Sequence, residues 1–159
     1  MRVTEIMTRS IQSCRPSDSL ERAALLMWNY DCGCIPVCAG DDGAGQTVGV
    51  VTDRDICMSA LFEGKPLREL SVGDAMAREV LSCRPQDSLA QAEQAMREAR
   101  IRRLPVTDDQ GTLIGMLSLA DIAREAAREQ TRPNREVTEV EVNDTFAAIC
   151  EPTRQPLIV

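Results

Sequence analysis

Histidine is absent from this chain of 159 residues, and aromatic side chains make up only 3% of it. The first absence removes the commonest general base, the commonest zinc ligand and every His-dependent triad. The second, together with a net charge of −7, argues against nucleic acid as a partner. Such a partner calls for a basic surface to displace counterions and, when single-stranded, for aromatic platforms on which bases stack. No apolar run approaches the roughly 18 residues needed to cross a bilayer, so no membrane partner is expected. The opening MRVTEIMTRS has no hydrophobic stretch like that of a secretory signal, and a cytoplasmic location is expected. GxGxxG, G-x4-GK[ST] and G-x-S-x-G are all missing. No nucleophile–base pair can be assembled, and the chain reads as a non-enzyme with no catalytic residue.

What is present is a globular composition, 43% hydrophobic and 27% charged, in a chain long enough for one ordinary domain or two small ones sharing a core. It also says the same thing twice. CRPSDSL, from Cys14 to Leu20, returns as CRPQDSL from Cys83 to Leu89. Met7 matches Met76, Met27 matches Met96 and Pro36 matches Pro105, always 69 positions apart. A longer loop, AGDDGAGQ against TDDQG, then lowers the offset to 66, pairing Gly49 with Gly115, Thr52 with Ser118, Asp55 with Asp121 and Ile56 with Ile122. A length difference of that kind belongs in a surface hairpin, and copies at fixed offset mark a duplicated structural unit.

Each copy reads as a short leading turn or helix (VTEIM, VGDAM), a short strand (SIQSC, EVLSC), a helix, two strands forming a hairpin, and a second helix. Asp18 and Asp87 are candidate N-caps, with Glu21 at the capping-box spacing from Asp18. Leu20, Ala23, Ala24, Met27 and Trp28 fall on one helical face, as do Leu89, Ala92, Ala95, Met96 and Ala99, and burial is expected for both stripes. CIPVC with TVGVVT, and RLPVT with LIGMLS, are the hairpin strands. Helices are expected from about Asp53 to Phe62 and from about Leu119 to Glu129. The order is β-α-β-β-α, twice, and the class is α/β (α+β). Units this small bury little surface alone. Packing as a pseudo-twofold pair would create a cleft at the join, a favoured place for a small ligand.

EIMTRSIQSCRPSDSL, GCIPV and GVVTDRDI in the first copy, with DAMAREVLSCRPQDSL, RRLPV and GMLSLADI in the second, resemble a tandem cystathionine β-synthase (CBS) domain pair, or Bateman module, over roughly Val3 to Arg128. The resemblance divides the chain into repeat one (1–62), a linker (63–71), repeat two (72–130) and a C-terminal extension (131–159). It implies a regulatory ligand sensor that binds AMP, ADP, ATP or S-adenosylmethionine, works as a homodimer and controls a partner protein. No catalytic cofactor is implied. The family's ligand signature, Gly-h-h-Thr/Ser-x-x-Asp, falls on Thr52 and Asp55 and on Ser118 and Asp121. A hydroxyl where a strand becomes a helix sits beside unpartnered backbone N–H groups and the positive end of the dipole, which suits phosphate. A carboxylate one turn on suits the vicinal hydroxyls of a ribose. Ile11 and Val80 would help wall the adenine, and Arg103, preceding LPV with Arg102, would add charge for phosphate.

Plainer readings stand beside these. Thr-x-x-Asp at a helix start is also a capping arrangement, and the two roles are compatible. Arg103 and Arg54 are either ligand contacts or arginines that are solvated or paired with a carboxylate. The first copy has Gly33 and Cys34 where the second has Arg102 and Arg103, which leaves its phosphate contacts open. The alternative for the whole chain is a dimerisation or docking scaffold with vestigial ligand sites. The seven cysteines, odd in number, read as reduced thiols. Cys32, Cys34 and Cys38 lack the paired C-x2-C of structural zinc, so no metal is assigned. In the extension, REVTEVEVND alternates as an edge strand would, DTFAAIC suits a helical turn, and QPLIV would prefer burial.

Overall fold

The computed structural model describes residues 1–40, 45–130 and 135–151; the middle of AGDDGAGQ and the terminal QPLIV lie outside the described residues. The elements run α1 (Val3–Ile6), α2 (Leu20–Asn29), β1 (Cys34–Cys38), β2 (Thr47–Thr52), α3 (Asp53–Glu63), a 3-10 turn (Leu67–Glu69), α4 (Val72–Ala75), α5 (Leu89–Ala99), β3 (Arg103–Thr107), β4 (Leu113–Ser118), α6 (Leu119–Glu129) and α7 (Glu139–Cys150). Helices mix with two antiparallel hairpins, β1–β2 and β3–β4, so the expected class holds.

The repeated CRPxDSL motif builds one device in both copies. Its cysteine is buried and makes a single parallel bridge to the hairpin, Cys14 to Val37 and Cys83 to Val106. The cysteine amide donates to the carbonyl of Pro36 or Pro105, 3.0 Å each. The bridge asks for no N–H from that position, which is why proline fits inside the strand. SIQSC and EVLSC are therefore extended segments with one bridge each rather than strands. The helix cap is the serine, not the aspartate before it: Ser19 accepts from the Arg22 amide and Ser88 from the Gln91 amide, 3.2 Å each. Asp18 instead closes the preceding turn. Its Oδ2 accepts from the Arg15 amide at 2.9 Å, and its Oδ1 from the Arg15 guanidinium at 3.0 Å. The motif leucines, Leu20 and Leu89, are buried.

The leading segments are exchanged between the copies. Val3 N donates to Asp87 O at 2.9 Å and Leu89 N to Met1 O at 3.1 Å, while Val72 N donates to Asp18 O at 2.8 Å and Leu20 N to Leu70 O at 2.9 Å. Beyond α1, Thr8 pairs with Met116 of β4, and beyond α4, Ala77 pairs with Val50 of β2. Gly49 permits the second pairing, because a Cβ there would lie 2.5 Å from Met76 Sδ and 3.0 Å from Ala77 O.

The chain accordingly forms two compact units that do not follow the repeats: residues 8–85 with 105–116, and residues 1–7 with 86–104 and 117 onward. The core of the first comprises Leu20, Ala23, Met27, Ile35, Val37, Val51, Ile56, Val72 and Met76. All of β1 is buried, including Cys34 and Cys38. Burial pushes the Cys14 thiol up to about 11 and raises that of Cys38, so these cysteines are packing residues rather than reactive ones. Trp28, grouped with this core by its spacing, is 85% exposed.

The second unit buries Val3, Leu89, Ala92, Met96, Leu104, Leu117, Ile122 and Ala126; Ala99, at the end of its expected stripe, is exposed. Glu139–Cys150 is helical, overturning the edge strand expected for REVTEVEVND. Thr138 caps the helix with Glu141 in a capping box, and Thr145 and Ile149, within the DTFAAIC expected to turn helically, supply its buried face. α7 packs on α5 and α6. Arg97 Nη1 donates to Thr145 Oγ1 at 2.8 Å, and that hydroxyl donates to Glu93 Oε1 at 3.3 Å. Burial pushes the Glu93 carboxyl up. Glu129, also buried, accepts from the amides of Glu136 and Val137 at 2.7 and 3.0 Å, fastening the entry to α7.

Asp18 tests the turn. Burial works against its ionised form, but the Arg15 bonds and Arg22 outweigh that and hold its carboxyl below the usual range. Asp18→Ala will cost about 2 kcal/mol at neutral pH, the scale of a buried hydrogen bond to a charged group. The deficit relative to wild type will shrink as pH falls through the depressed folded-state pKa, where the wild-type carboxylate also protonates. Urea unfolding of both proteins across acid pH measures it.

Candidate functional site

The two signature pairs occupy equivalent positions at the starts of α3 and α6. Thr52 Oγ1 accepts from the Asp55 amide at 3.2 Å, and Asp55 Oδ2 accepts from the Thr52 amide at 2.9 Å and its hydroxyl at 2.7 Å. Ser118 and Asp121 repeat this at 3.2, 2.8 and 2.5 Å. Both are reciprocal capping boxes, so the capping role is present in each copy. A capping hydroxyl keeps acceptor capacity for a further donor. Asp55 Oδ1 has no hydrogen-bond partner among the described residues, whereas Asp121 Oδ1 is paired with Arg124. Asp121 is 8% exposed.

A helix start leaves four N–H groups without intrahelical acceptors, and the copies differ in how these are met. At α3 all four are used. Besides the Thr52 and Asp55 amides, Asp53 N donates to Gly33 O at 3.4 Å and Arg54 N to Asp53 Oδ1 at 2.8 Å. The Asp53 carboxylate thus stands where an anion would be received. Gly33 makes room for it: a Cβ at Gly33 would lie 2.8 Å from Asp53 Oδ2. At α6 the aligned residues are Arg102 and Leu119. Leu119 N donates to Arg102 O at 2.9 Å, and the Ala120 amide has no acceptor among the described residues.

Ala120 lines a cavity of about 330 Å³. Arg102, Arg103 and Ser118 line one part of it, and Leu119, Ala120 and Ala123 give it a floor of α6. Val142, Asn143 and Phe146 of α7 form a further wall. Arg103 is half-buried and makes no ion pair or hydrogen bond among the described residues, so the carboxylate-paired alternative does not apply to it. Arg102 is exposed and reaches Cys150 Sγ at 3.8 Å. The arrangement offers two guanidinium groups, a hydroxyl and an open helix amide to an anion, with an apolar surface beside them.

Among the proposed site residues, Arg103 and Ser118 are brought together here. Thr52 and Asp55 form the counterpart at α3, where no arginine precedes the strand. Ile11 and Val80 are half-buried in the extended segments ahead of Cys14 and Cys83 and do not line this cavity. Arg54 is exposed on α3. The reading from sequence missed Ala120, Ala123 and the α7 residues. The alanines carry no chemistry of their own, Val142 and Asn143 lie in the stretch expected to be an edge strand, and Phe146 lies in DTFAAIC, expected to be a helical turn with no site role. Among the described residues no cluster of Cys, Asp and Glu is arranged to hold a metal, and no helix is long and apolar enough to cross a membrane.

The family model that matches this chain is the CBS domain, over residues 3–61 and again over 72–128. The CBS domain-containing protein YhcV of Bacillus subtilis is 35% identical over 121 residues, covering 76% of this chain and 82% of that one. The crystal structure of CBSX2 in complex with AMP is 30% identical with a TM-score of 0.67, covering 80% of this chain and 96% of that one. Hypoxic Response Protein I, solved with two coordinated zinc ions, is 28% identical with a TM-score of 0.69, covering 78% and 98%.

The capping boxes make a prediction independent of any ligand. Thr52→Ala and Ser118→Ala will each lower stability by about 1 kcal/mol, read as a shift of the urea midpoint without change in slope.

Proposed function

The chain belongs to the CBS domain family, and we propose that it is a cytoplasmic regulatory module that binds a phosphate-bearing adenosine ligand at its second repeat and controls a partner protein. The observation that carries this reading is half-buried Arg103, unpaired among the described residues, beside the open Ala120 amide in a cavity of about 330 Å³. A half-buried guanidinium without a counter-charge is a standing demand for an anion. CBSX2, which the chain resembles at 30% identity, is solved with AMP, and this supports adenosine as the rest of the ligand. AMP, ADP and ATP suit two arginines better than S-adenosylmethionine, whose sulfonium adds positive charge beside them. Asp121 would turn to the ribose by exchanging Arg124, which is 61% exposed and held weakly on that account. At the first repeat, the Asp53 carboxylate already fills the anion position, so Thr52 and Asp55 would serve an uncharged part of a ligand and not phosphate. No residue acts as a catalyst in this reading.

A second function is favoured by a different observation. α2 and α3 pack on one another and carry Leu25, Trp28, Leu61 and Phe62 at 56%, 85%, 69% and 76% exposure. Large apolar side chains left this open mark an association surface, and we read it as the homodimer contact of the module. Regulation then requires that the ligand bind one conformation or assembly better than another.

Calorimetric titration of ligand-free protein with AMP, ATP, adenosine and S-adenosylmethionine tests the first part. One phosphate-bearing nucleotide will bind, and Arg103→Ala will weaken it by at least about tenfold, the loss of a charge-assisted hydrogen bond. Absence of heat and of any thermal shift with every adenosyl compound would sink the reading. For the second part, sedimentation will show a wild-type dimer and a Trp28→Glu monomer; a wild-type monomer at all concentrations removes it.

A further inference from the structure

Resting on the nucleotide reading above, we infer that α7, which lies outside both CBS repeats, is a wall of the ligand site and holds the base end of the nucleotide through Phe146 and Asn143.

The helix has two kinds of inward residue. Thr145 and Ile149 are buried and anchor it, Thr145 through the Arg97 and Glu93 bonds to α5. Val142 and Phe146, each three residues ahead of an anchor and so on the same face, line the cavity instead. Phe146 is 50% exposed although its helix is docked on both sides of it. An aromatic ring held at the rim of a cavity by fixed neighbours, and half uncovered there, presents a face to whatever enters. Asn143 lines the same cavity and makes no hydrogen bond among the described residues. Its amide has both donors and an acceptor, the complement that the edge of adenine requires.

The cavity is therefore divided. Arg102, Arg103 and the Ala120 amide serve an anion; Phe146, Val142, Leu119 and Ala123 offer an apolar slot, and Asn143 can read an edge. A nucleotide has the same two ends. About 330 Å³ lies at the small end of ligand pockets, a size suited to one mononucleotide. The wall that contacts the base thus comes from a segment that the family match does not include.

The experiment uses the full chain, with AMP, adenosine and inorganic phosphate as probes, by calorimetry and by amide hydrogen exchange of α7. The variants are Phe146→Ala, Phe146→Leu, Asn143→Ala and Arg103→Ala, each checked against the wild-type urea midpoint. Phe146→Ala will weaken AMP and adenosine by about tenfold, as loss of base stacking does, with phosphate unchanged. Phe146→Leu, which keeps apolar area, will recover part of that loss. Asn143→Ala will weaken AMP and adenosine but not phosphate. Arg103→Ala will weaken AMP and phosphate but not adenosine. AMP will slow exchange across 139–150. If the α7 variants bind AMP within twofold of wild type and its exchange is unmoved, while Arg103→Ala still loses AMP, this inference is overturned and the nucleotide reading stands. If the wild-type protein binds ATP but no AMP, this inference falls and the nucleotide reading stands; if it binds no adenosyl compound, both fall.

Discussion

The fold depends on a reciprocal exchange. Each copy's leading segment is hydrogen-bonded to the other copy's motif and hairpin: Val3 to Asp87 and Thr8 to Met116, Val72 to Asp18 and Ala77 to Val50. Four residues of α1 and four of α4 are too short to be stable as isolated helices, so their order comes from these bonds and from the burial of Val3 and Val72. In the same act one bridge each occupies part of the strand edges of β2 and β4, which shortens the ladder left to invite pairing with other chains. One copy alone lacks both parts. That is why the compact units cut across the repeats.

Within this shared frame the helix starts have diverged in charge. The backbone of α3 and of α6 presents the same problem, four amides without acceptors, and the same Thr/Ser-x-x-Asp box solves half of it. The remainder is settled by the neighbours. Gly33 admits the Asp53 carboxylate, which puts negative charge on the amides of the first helix start; Arg102, Arg103 and Leu119 put positive charge and no carboxylate at the second. A glycine and an acid against two arginines and a leucine separate the chemistry of two otherwise matching positions, with no change in backbone geometry required.

The repeats, the class, the hairpins and α6 were legible because a period of two copies checks every assignment against its counterpart. The cap was misplaced by one residue because Asp and Ser stand side by side in both motifs, and only the turn closed by Arg15 and Asp18 decides which one faces the helix. SIQSC and EVLSC have strand composition, but one bridge each is all that the sheet offers them. Trp28 lies on a correctly drawn helical stripe, yet the core ends before it. The first half of α7 is misassigned because the alternation in REVTEVEVND masks the Thr138–Glu141 box that starts a helix there; DTFAAIC, expected to turn helically, is the second half of that helix, and the segment has no second copy to correct the first. The signature hydroxyls and acids stand at the helix starts, as their spacing implies, but their bonding is not readable from sequence, since a capping box and a ligand contact use the same residue types. The cavity was least legible of all, because Ala120 and Ala123 contribute to it only by being small.

The exchanged leaders also bear on how such a chain could have arisen. A single ancestral copy would have satisfied its hairpin edge only against an identical molecule, so its earliest folded form would have been an obligate pair. Joining two genes through the stretch that is now EGKPLREL made that association intramolecular, and independent of concentration. From then on, a substitution no longer had to appear in both copies at once. An acid could be accepted at one helix mouth while arginines were kept at the other, and a single molecule could come to hold two oppositely charged versions of one helix start.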